Sequence, residues 1–413
     1  MAATALTLAD AERLDRADPF LACREAFALE PGVIYLDGNS LGALPKATAP
    51  RLAQLISREW GGDLIKSWNT HDWIGAPRRV GAKIAALIGA QPTEVLAADS
   101  TSVNLFKLVT GAAMLAPSRR TIVSEPGNFP TDLYVIQGLE TLLGARLRLK
   151  VAPREALGHA IDEDTALVVL THVHYAAGRR WPMGEMTALA HAKGALMLWD
   201  LSHSAGALAV DLNAAGADLA VGCGYKYLNG GPGAPAFLFV AERHQGAIRS
   251  PLSGWMGHVA PFAFEDDYRP VSGIGRFLCG TPPILGLAAL EAGVDLLAGV
   301  DMAVLEAKGL ALADFFLRRV EAACPELILA SPREGEDRGL HLCFTHPDAY
   351  PVVQALIERQ VIGDFRAPDL LRFGFSPLYV SFRDVWRAVE TLGQVLETRA
   401  FDNPRHRRMA AVT

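Results

Sequence analysis

Apolar residues recur at helical spacing over about 7–30 (Leu8, Leu14, Phe20, Phe27), which predicts a helical stretch broken at Pro31-Gly32. The run Val33-Ile34-Tyr35-Leu36 predicts a short strand leading into the loop Asp37-Gly38-Asn39-Ser40-Leu41-Gly42. From about 80 to 240, candidate strands at 121–124, 147–151, 166–170, 196–199, 219–222 and 236–240, most of them continuously apolar, alternate with helical stretches and small-residue loops. Strands without polar alternation belong to a sheet buried on both faces. The region therefore predicts an α/β layer, with helices over 51–59, 81–90 and 102–115.

After Pro282-Pro283 the rhythm changes. Helical patterns cover 285–298 and 302–323, followed by a strand at 340–344, a helix near 350–360 and a last helix over 382–398. Ser381 and Asp384 have the spacing of a capping box at the start of that last helix. Long helices with few strands predict a separate α+β unit. The expected organisation is an N-terminal segment over 1–55 packing on the small domain, a large domain over 56–285 and a small C-terminal domain over 286–413.

Length agrees with this division, since 413 residues exceed one ordinary core. Half the residues are apolar and the formal net charge is −6, without long like-charge blocks. Neither a nucleic-acid partner nor an anionic membrane surface is expected from that balance. The cluster Arg405-His406-Arg407-Arg408 reads as a solvated tail. Five cysteines (Cys23, Cys223, Cys279, Cys324, Cys343) are scattered and never form a CxxC pair, the usage of a reduced, intracellular protein. Acids at Asp10, Glu12 and Asp15, and no long apolar core beside them, argue against a signal peptide. No apolar run reaches membrane-spanning length, so a soluble cytoplasmic protein is expected.

Candidate chemistry begins at Asp200, which ends the apolar run Leu196-Met197-Leu198-Trp199. Ligands in α/β sheets gather at such carboxyl ends, although a lone Asp there also serves as a cap for the next turn. The next apolar run leads into Gly222-Cys223-Gly224-Tyr225-Lys226-Tyr227-Leu228-Asn229-Gly230-Gly231-Pro232-Gly233. A Schiff-base lysine needs partial desolvation, because only the neutral amine attacks an aldehyde, and glycines let backbone approach a flat cofactor. An exposed loop lysine would explain Lys226 but neither the glycines nor the upstream Asp.

An Asp ending one strand and a Lys just after the next is the layout of fold-type I pyridoxal-phosphate (PLP) enzymes. The carboxylate would keep the pyridine nitrogen protonated and the ring electron-withdrawing. Asp99-Ser100-Thr101-Ser102 precedes a helical run and could cradle a phosphate or simply cap the helix. In Asn128-Phe129-Pro130-Thr131-Asp132, Phe129 could stack on the ring or pack in the core, and Asp132 could be a second carboxylate near the nitrogen.

At this level of detail the chain resembles the kynureninases. The resemblance is carried by Leu36-Asp37-Gly38-Asn39-Ser40-Leu41-Gly42, Thr101-Ser102-Val103-Asn104-Leu105 and Phe129-Pro130-Thr131-Asp132. It continues through Trp199-Asp200-Leu201-Ser202-His203-Ser204-Ala205-Gly206 and the Lys226 segment, then Gly254-Trp255, Gly280-Thr281-Pro282-Pro283 and Arg372 ahead of Pro377-Leu378-Tyr379. It implies a fold-type I PLP-dependent transferase-like α/β fold, with a large mixed-sheet domain and a smaller α+β C-terminal domain. The implied activity is hydrolysis of the Cβ–Cγ bond of kynurenine, in tryptophan catabolism and so NAD biosynthesis, by a homodimer. Lys226, Tyr225 and Asp200 would be catalytic. Thr101, Ser102, Tyr225, Trp255 and Thr281 would hold the cofactor phosphate, some across the dimer interface. Thr171, His203, Phe129, Asp132 and Asp200 would surround the ring, with Arg372 clamping the substrate carboxylate and Ser40 lining its pocket. Where relatives more often have His-Val-Asn-Tyr, this chain has His172-Val173-His174-Tyr175, leaving the role of His174 open.

Three alternatives compete. A cysteine desulfurase or class V aminotransferase is disfavoured, because desulfurases carry His before the lysine where Tyr225 stands, and Cys343 falls inside a predicted strand. A metallohydrolase could use His172 and His174 with Asp200 and His203, which leaves Lys226 unexplained. A non-catalytic PLP-binding protein is opposed by Arg372 and the complete cofactor set.

Overall fold

In the computed structural model, which describes residues 6–409, the run at 33–36 becomes β1 (Ile34–Tyr35). The following runs assemble one seven-stranded sheet from β2 (Val95–Ala97), β3 (Thr121–Ser124), β4 (Arg148–Val151), β5 (Thr165–Thr171), β6 (Leu196–Asp200), β7 (Leu219–Gly222) and β8 (Phe237–Val240). Across the sheet the order is β2-β8-β7-β6-β5-β3-β4. Neighbours from β7 to β4 are parallel, and β8 runs antiparallel to both β7 and β2. Every residue of β3, β5, β7 and β8 is buried, as a sheet covered on both faces requires. β4 lies at the edge, where exposed Arg148 and half-buried Lys150 blunt it against further pairing. β2 was not anticipated; the run Val95-Leu96-Ala97-Ala98 after Glu94 is short and half alanine, which has little strand preference.

The parallel strands end on one side of the sheet, with Thr171 beside Asp200 and Asp200 beside Val221. The antiparallel β8 brings Ala97 to the same side, since Ala97 pairs with Phe237 and Phe237 with Gly222. Four loops therefore converge where ligands of α/β sheets bind.

The N-terminal stretch differs from its prediction. The helix spans only Leu8–Arg16, followed by a 3-10 segment at Leu21–Ala26. Pro19 accounts for the break, because its ring disfavours helical backbone at the preceding residue and it has no N–H to donate. The helix expected at 51–59 is Thr48–Gln54, prolonged by a π-helical Leu55–Asp63, and the one expected at 81–90 is Ala76–Leu87.

The C-terminal part forms β9 (Ile328–Leu329), β10 (His341–Thr345), β11 (Val361–Ile362), β12 (Asp364–Arg366) and β13 (Leu370–Gly374). β12-β13-β10-β9 is an antiparallel sheet, whereas β11 pairs in parallel with β1. Phe344 and Phe373 pack against Phe316 of the helix Met302–Ala323. Residues of the opposite parity, His341, Cys343 and Arg372, turn toward the large sheet, where Cys343 Sγ meets the Ala176 carbonyl. The last helix, Phe382–Glu397, begins with the Ser381–Asp384 capping box, and Asp15 accepts further bonds from the Phe382 and Arg383 N–H groups at 2.7 and 3.1 Å.

Candidate active site

At the end of β6, Asp200 Oδ1 accepts the Ser202 N–H at 2.7 Å. Beside it, the Thr171 N–H donates to Asn128 Oδ1 at 2.8 Å. Asn128 Nδ2 and Thr171 Oγ1 then donate to Asp132 Oδ2 at 2.8 and 3.2 Å. Asp132 Oδ1 is buried and has no partner among the described residues. Burial pushes both carboxyls above the usual range, and the charge of Asp200 raises Asp132 further. Two desolvated carboxylates with an unused oxygen between sheet and loop suit a cationic ligand.

Facing them is Lys226, on the loop after β7. Two close approaches shape this loop: a Cβ on Gly224 would lie 2.2 Å from the Pro235 carbonyl, and one on Gly42 would lie 2.2 Å from the Lys226 carbonyl. Gly42 also donates its N–H to the Tyr225 carbonyl at 2.8 Å, locking the 37–42 loop onto the lysine loop. Lys226 is buried, with Nζ 3.4 Å from His203 Nε2 and 5.7 and 5.8 Å from the ring centres of Phe129 and Tyr225. His203 Nδ1 has no partner among the described residues, and burial followed by the Lys226 charge holds the ring far below its usual pKa, hence neutral. His341 of β10 packs 5.5 Å from His203 and is kept neutral by burial and Arg372. Burial raises the Tyr225 hydroxyl, which keeps its proton.

Arg372 does not stand free. Its side chain is 1 % exposed, and it binds Asp364 through Nε at 2.8 Å and Nη2 at 2.5 Å. Nη2 also donates to Ser40 Oγ at 2.7 Å, and Nη1 to the Tyr175 carbonyl at 2.5 Å. Arg366 adds a bond to Asp364 at 2.7 Å, and its Nε is buried without a partner among the described residues. Burial and the Asp364 charge push Asp37, in the same cluster, up to about 7. Asp364 occupies the Nε–Nη2 edge of the guanidinium, and Ser40 Oγ and the Tyr175 carbonyl engage donors of the Nη1–Nη2 edge.

The third group lies at the start of the helix Thr101–Leu115, where Ser100 Oγ caps the Val103 N–H at 3.4 Å. Thr101 is half-buried and Ser102 exposed. The Met256 N–H donates to the Cys279 carbonyl at 3.2 Å, so the turns carrying Trp255 and Thr281 meet, and Cys279 Sγ lies 3.8 Å from Asp99 Oδ1.

His172 and His174 do not converge on a common point. His172 Nδ1 meets Ser204 Oγ at 2.8 Å and Nε2 meets Arg180 Nε at 3.4 Å, while burial and Arg180 lower its pKa to about 3. His174 Nδ1 accepts the Ala176 and Ala177 N–H groups at 3.3 and 3.1 Å, and its ring stacks on Tyr175. His174 therefore shapes the turn that presents the Tyr175 carbonyl to Arg372. Four participants escaped the sequence reading: Asn128, His341, Asp364 and Arg366. The hairpin around Ala367-Pro368-Asp369 could have revealed Asp364, because antiparallel register sets it opposite Arg372.

Residues 305–392 match the family described as the kynureninase C-terminal domain. The chain is 53% identical over 416 residues to a kynureninase of Burkholderia mallei, covering 98% of this chain and 100% of that one. It is 51% identical over 400 residues to a kynureninase of Pseudomonas fluorescens, covering 95% and 96%. This chain belongs to the kynureninase family. Among solved structures it is similar to a cysteine desulfurase of Thermococcus onnurineus, with a TM-score of 0.78, 21% identity and coverage of 92% and 98%. A C-DES variant with glycine covalently linked to its PLP cofactor matches with a TM-score of 0.76 at 17% identity, over 90% and 98% of the two chains. The fold is thus fold-type I, shared with desulfurases. The kynureninase likeness, by contrast, runs at high identity through the whole chain. The buried Cys343 in β10 also lacks the mobile loop that a desulfurase nucleophile needs.

Proposed function

We propose that this protein is a PLP-dependent kynureninase, which hydrolyses the Cβ–Cγ bond of L-kynurenine to anthranilate and L-alanine in tryptophan catabolism. The observation carrying this reading is the buried Lys226 amine, flanked by Phe129 and His203, within electrostatic reach of the Asp200–Asp132 pair. When bound, PLP supplies an aldehyde that takes the substrate amine and a cationic ring that draws electrons from the substrate α-carbon. Lys226 would carry it, and Asp200, with Asp132 behind, would ionise against its ring nitrogen. Asp132 Oδ1 and His203 Nδ1, without partners among the described residues, support that fit. Thr101, Ser102, Tyr225, Trp255 and Thr281 would hold its phosphate, and Phe129 would cover its face.

The chain's own residues then move protons. With PLP bound, Lys226 Nζ would take the Cα proton, and His203, held neutral by burial, adds no second cation beside it. Tyr225 retains its proton and can deliver it as charge develops. Water adds to the γ-carbonyl, and Cβ–Cγ cleavage divides the substrate into anthranilate and an alanine fragment that takes up a proton. A soluble cytoplasmic homodimer fits the exposed aromatic face of Trp255, Phe262 and Phe264 beside the proposed phosphate residues. No helix among the described residues is long and apolar enough to cross a membrane. Incubating the purified protein with kynurenine and following anthranilate fluorescence tests the proposal. Absence of anthranilate at saturating PLP refutes it, and 3-hydroxykynurenine in parallel measures preference.

Arg372→Ala should lower kcat/KM by about 3 kcal/mol, on the order of a hundredfold, because it removes the substrate's carboxylate partner. It also takes from Asp364 two donors, at 2.5 and 2.8 Å. Arg372→Lys should retain intermediate activity, since an ammonium keeps the charge but not the planar fork. Neither variant should lose PLP. An Arg372→Ala enzyme as efficient as wild type would place the clamp elsewhere.

A further inference from the structure

Lys107 is wholly buried, yet no step above uses it. It sits in the helix Thr101–Leu115 among Leu105, Leu108 and Val109 of an apolar cluster. An ammonium in such surroundings is costly unless its protons are bonded and its charge is met. Nζ donates to Asp99 Oδ2 at 2.5 Å and to the Phe277 carbonyl at 2.6 Å. These two partners belong to the two segments on which the proposed phosphate residues stand. Asp99 immediately precedes Ser100-Thr101-Ser102 and has left-handed backbone, φ +51°, which turns the chain from β2 into the helix start. Phe277 ends the 3-10 turn Gly273–Phe277, from which Leu278-Cys279-Gly280 leads to Thr281. The Cys279 thiol lies against Asp99, and the Cys279 carbonyl holds the turn of Trp255.

We propose that the Lys107–Asp99 pair is a positioning device that pins the Ser100–Ser102 helix start, on which the proposed phosphate contacts stand, to the turn ending at Phe277. Lys107 touches no phosphate; it acts through Asp99 and the Phe277 carbonyl. For a non-glycine residue left-handed backbone is uncommon and costs free energy, so the turn at Asp99 depends on an anchor. Without the ammonium, the Asp99 carboxylate loses its cation and turns to solvent, since its side chain is already 27% exposed. The helix-start N–H groups and the Thr101 and Ser102 hydroxyls then lose their fixed direction. The cost falls on the phosphate and not on the pyridine ring, which is held from β5, β6 and Lys226.

This inference rests on the proposed phosphate cradle, and the test separates the two. Dissociation constants of apoenzyme for PLP and for pyridoxal, which lacks the phosphate, are measured by fluorescence titration for wild type, Thr101→Ala, Lys107→Met and Asp99→Asn. Asp99→Asn is nearly isosteric and partly solvated, so it reports on the pair even if Lys107→Met does not fold. Both pair variants should bind PLP about tenfold more weakly, with pyridoxal within about twofold of wild type. Equal losses for PLP and pyridoxal would reduce the pair to general structural support and overturn the proposal. Loss of PLP preference in Thr101→Ala but in neither pair variant would overturn it while leaving the cradle intact. Equal affinity of the wild type for PLP and pyridoxal would overturn the cradle itself.

Discussion

Lys226→Ala should abolish kynurenine turnover, a loss of at least ~10⁴-fold or about 5 kcal/mol of barrier. On the proposed function two roles disappear together: the amine that would carry the cofactor and the base that would take the substrate's Cα proton. The fold should tolerate the change. Lys226 Nζ makes one contact among the described hydrogen bonds, the 3.4 Å approach to His203, so removing it orphans no strong partner. Relieved of the neighbouring ammonium, His203 should titrate closer to its ordinary pKa, although burial still holds it down. Borohydride reduction followed by peptide mapping of the wild type should place the pyridoxyl group on Lys226. A label on another lysine, or substantial turnover in Lys226→Ala, would end the assignment.

Asp200→Asn should cost about 4 kcal/mol, roughly a thousandfold in kcat, because an amide cannot hold a proton on the ring nitrogen. Stability should not fall with activity. The amide oxygen can still accept the Ser202 N–H, and the substitution removes a buried charge that repels Asp132. Apoenzyme Tm should therefore be unchanged or higher, and the Asp132 carboxyl should titrate closer to its ordinary value. A kcat within threefold of wild type would transfer the role to Asp132. A fall in Tm together with kcat would mean that Asp200 is mainly structural.

The sequence disclosed the large sheet because its central strands are nearly unbroken apolar runs, as a strand buried on both faces has to be, whereas edge strand β4 carries Arg148 and Lys150. Asp200 and Lys226 were legible for the same reason: polar residues stand out where such a run ends. Other features were hidden. β2 has three residues, and β12 alternates Asp364, Phe365 and Arg366 too briefly to register as a strand. The helix predicted over 7–30 failed at Pro19, where local stereochemistry overrode apolar spacing. Arg372 was read as a free clamp, whereas pairing of β12 with β13 fixes one edge of its guanidinium to Asp364.

By itself, then, the chain determined most strand positions, the placement of Asp200 and Lys226 at strand ends and the family resemblance, since these reside in local pattern and residue type. Tertiary structure decided which carboxylates share a desolvated space, which groups engage the Arg372 guanidinium and which buried cation ties Asp99 to Phe277. Those depend on residues far apart in the chain: Asp132 meets Thr171, Ser40 meets Arg372, and Lys107 meets the Phe277 carbonyl. No window of sequence contains both partners of such contacts. Burial, which sets whether an Asp or His is charged, exists only once the layers have closed over them.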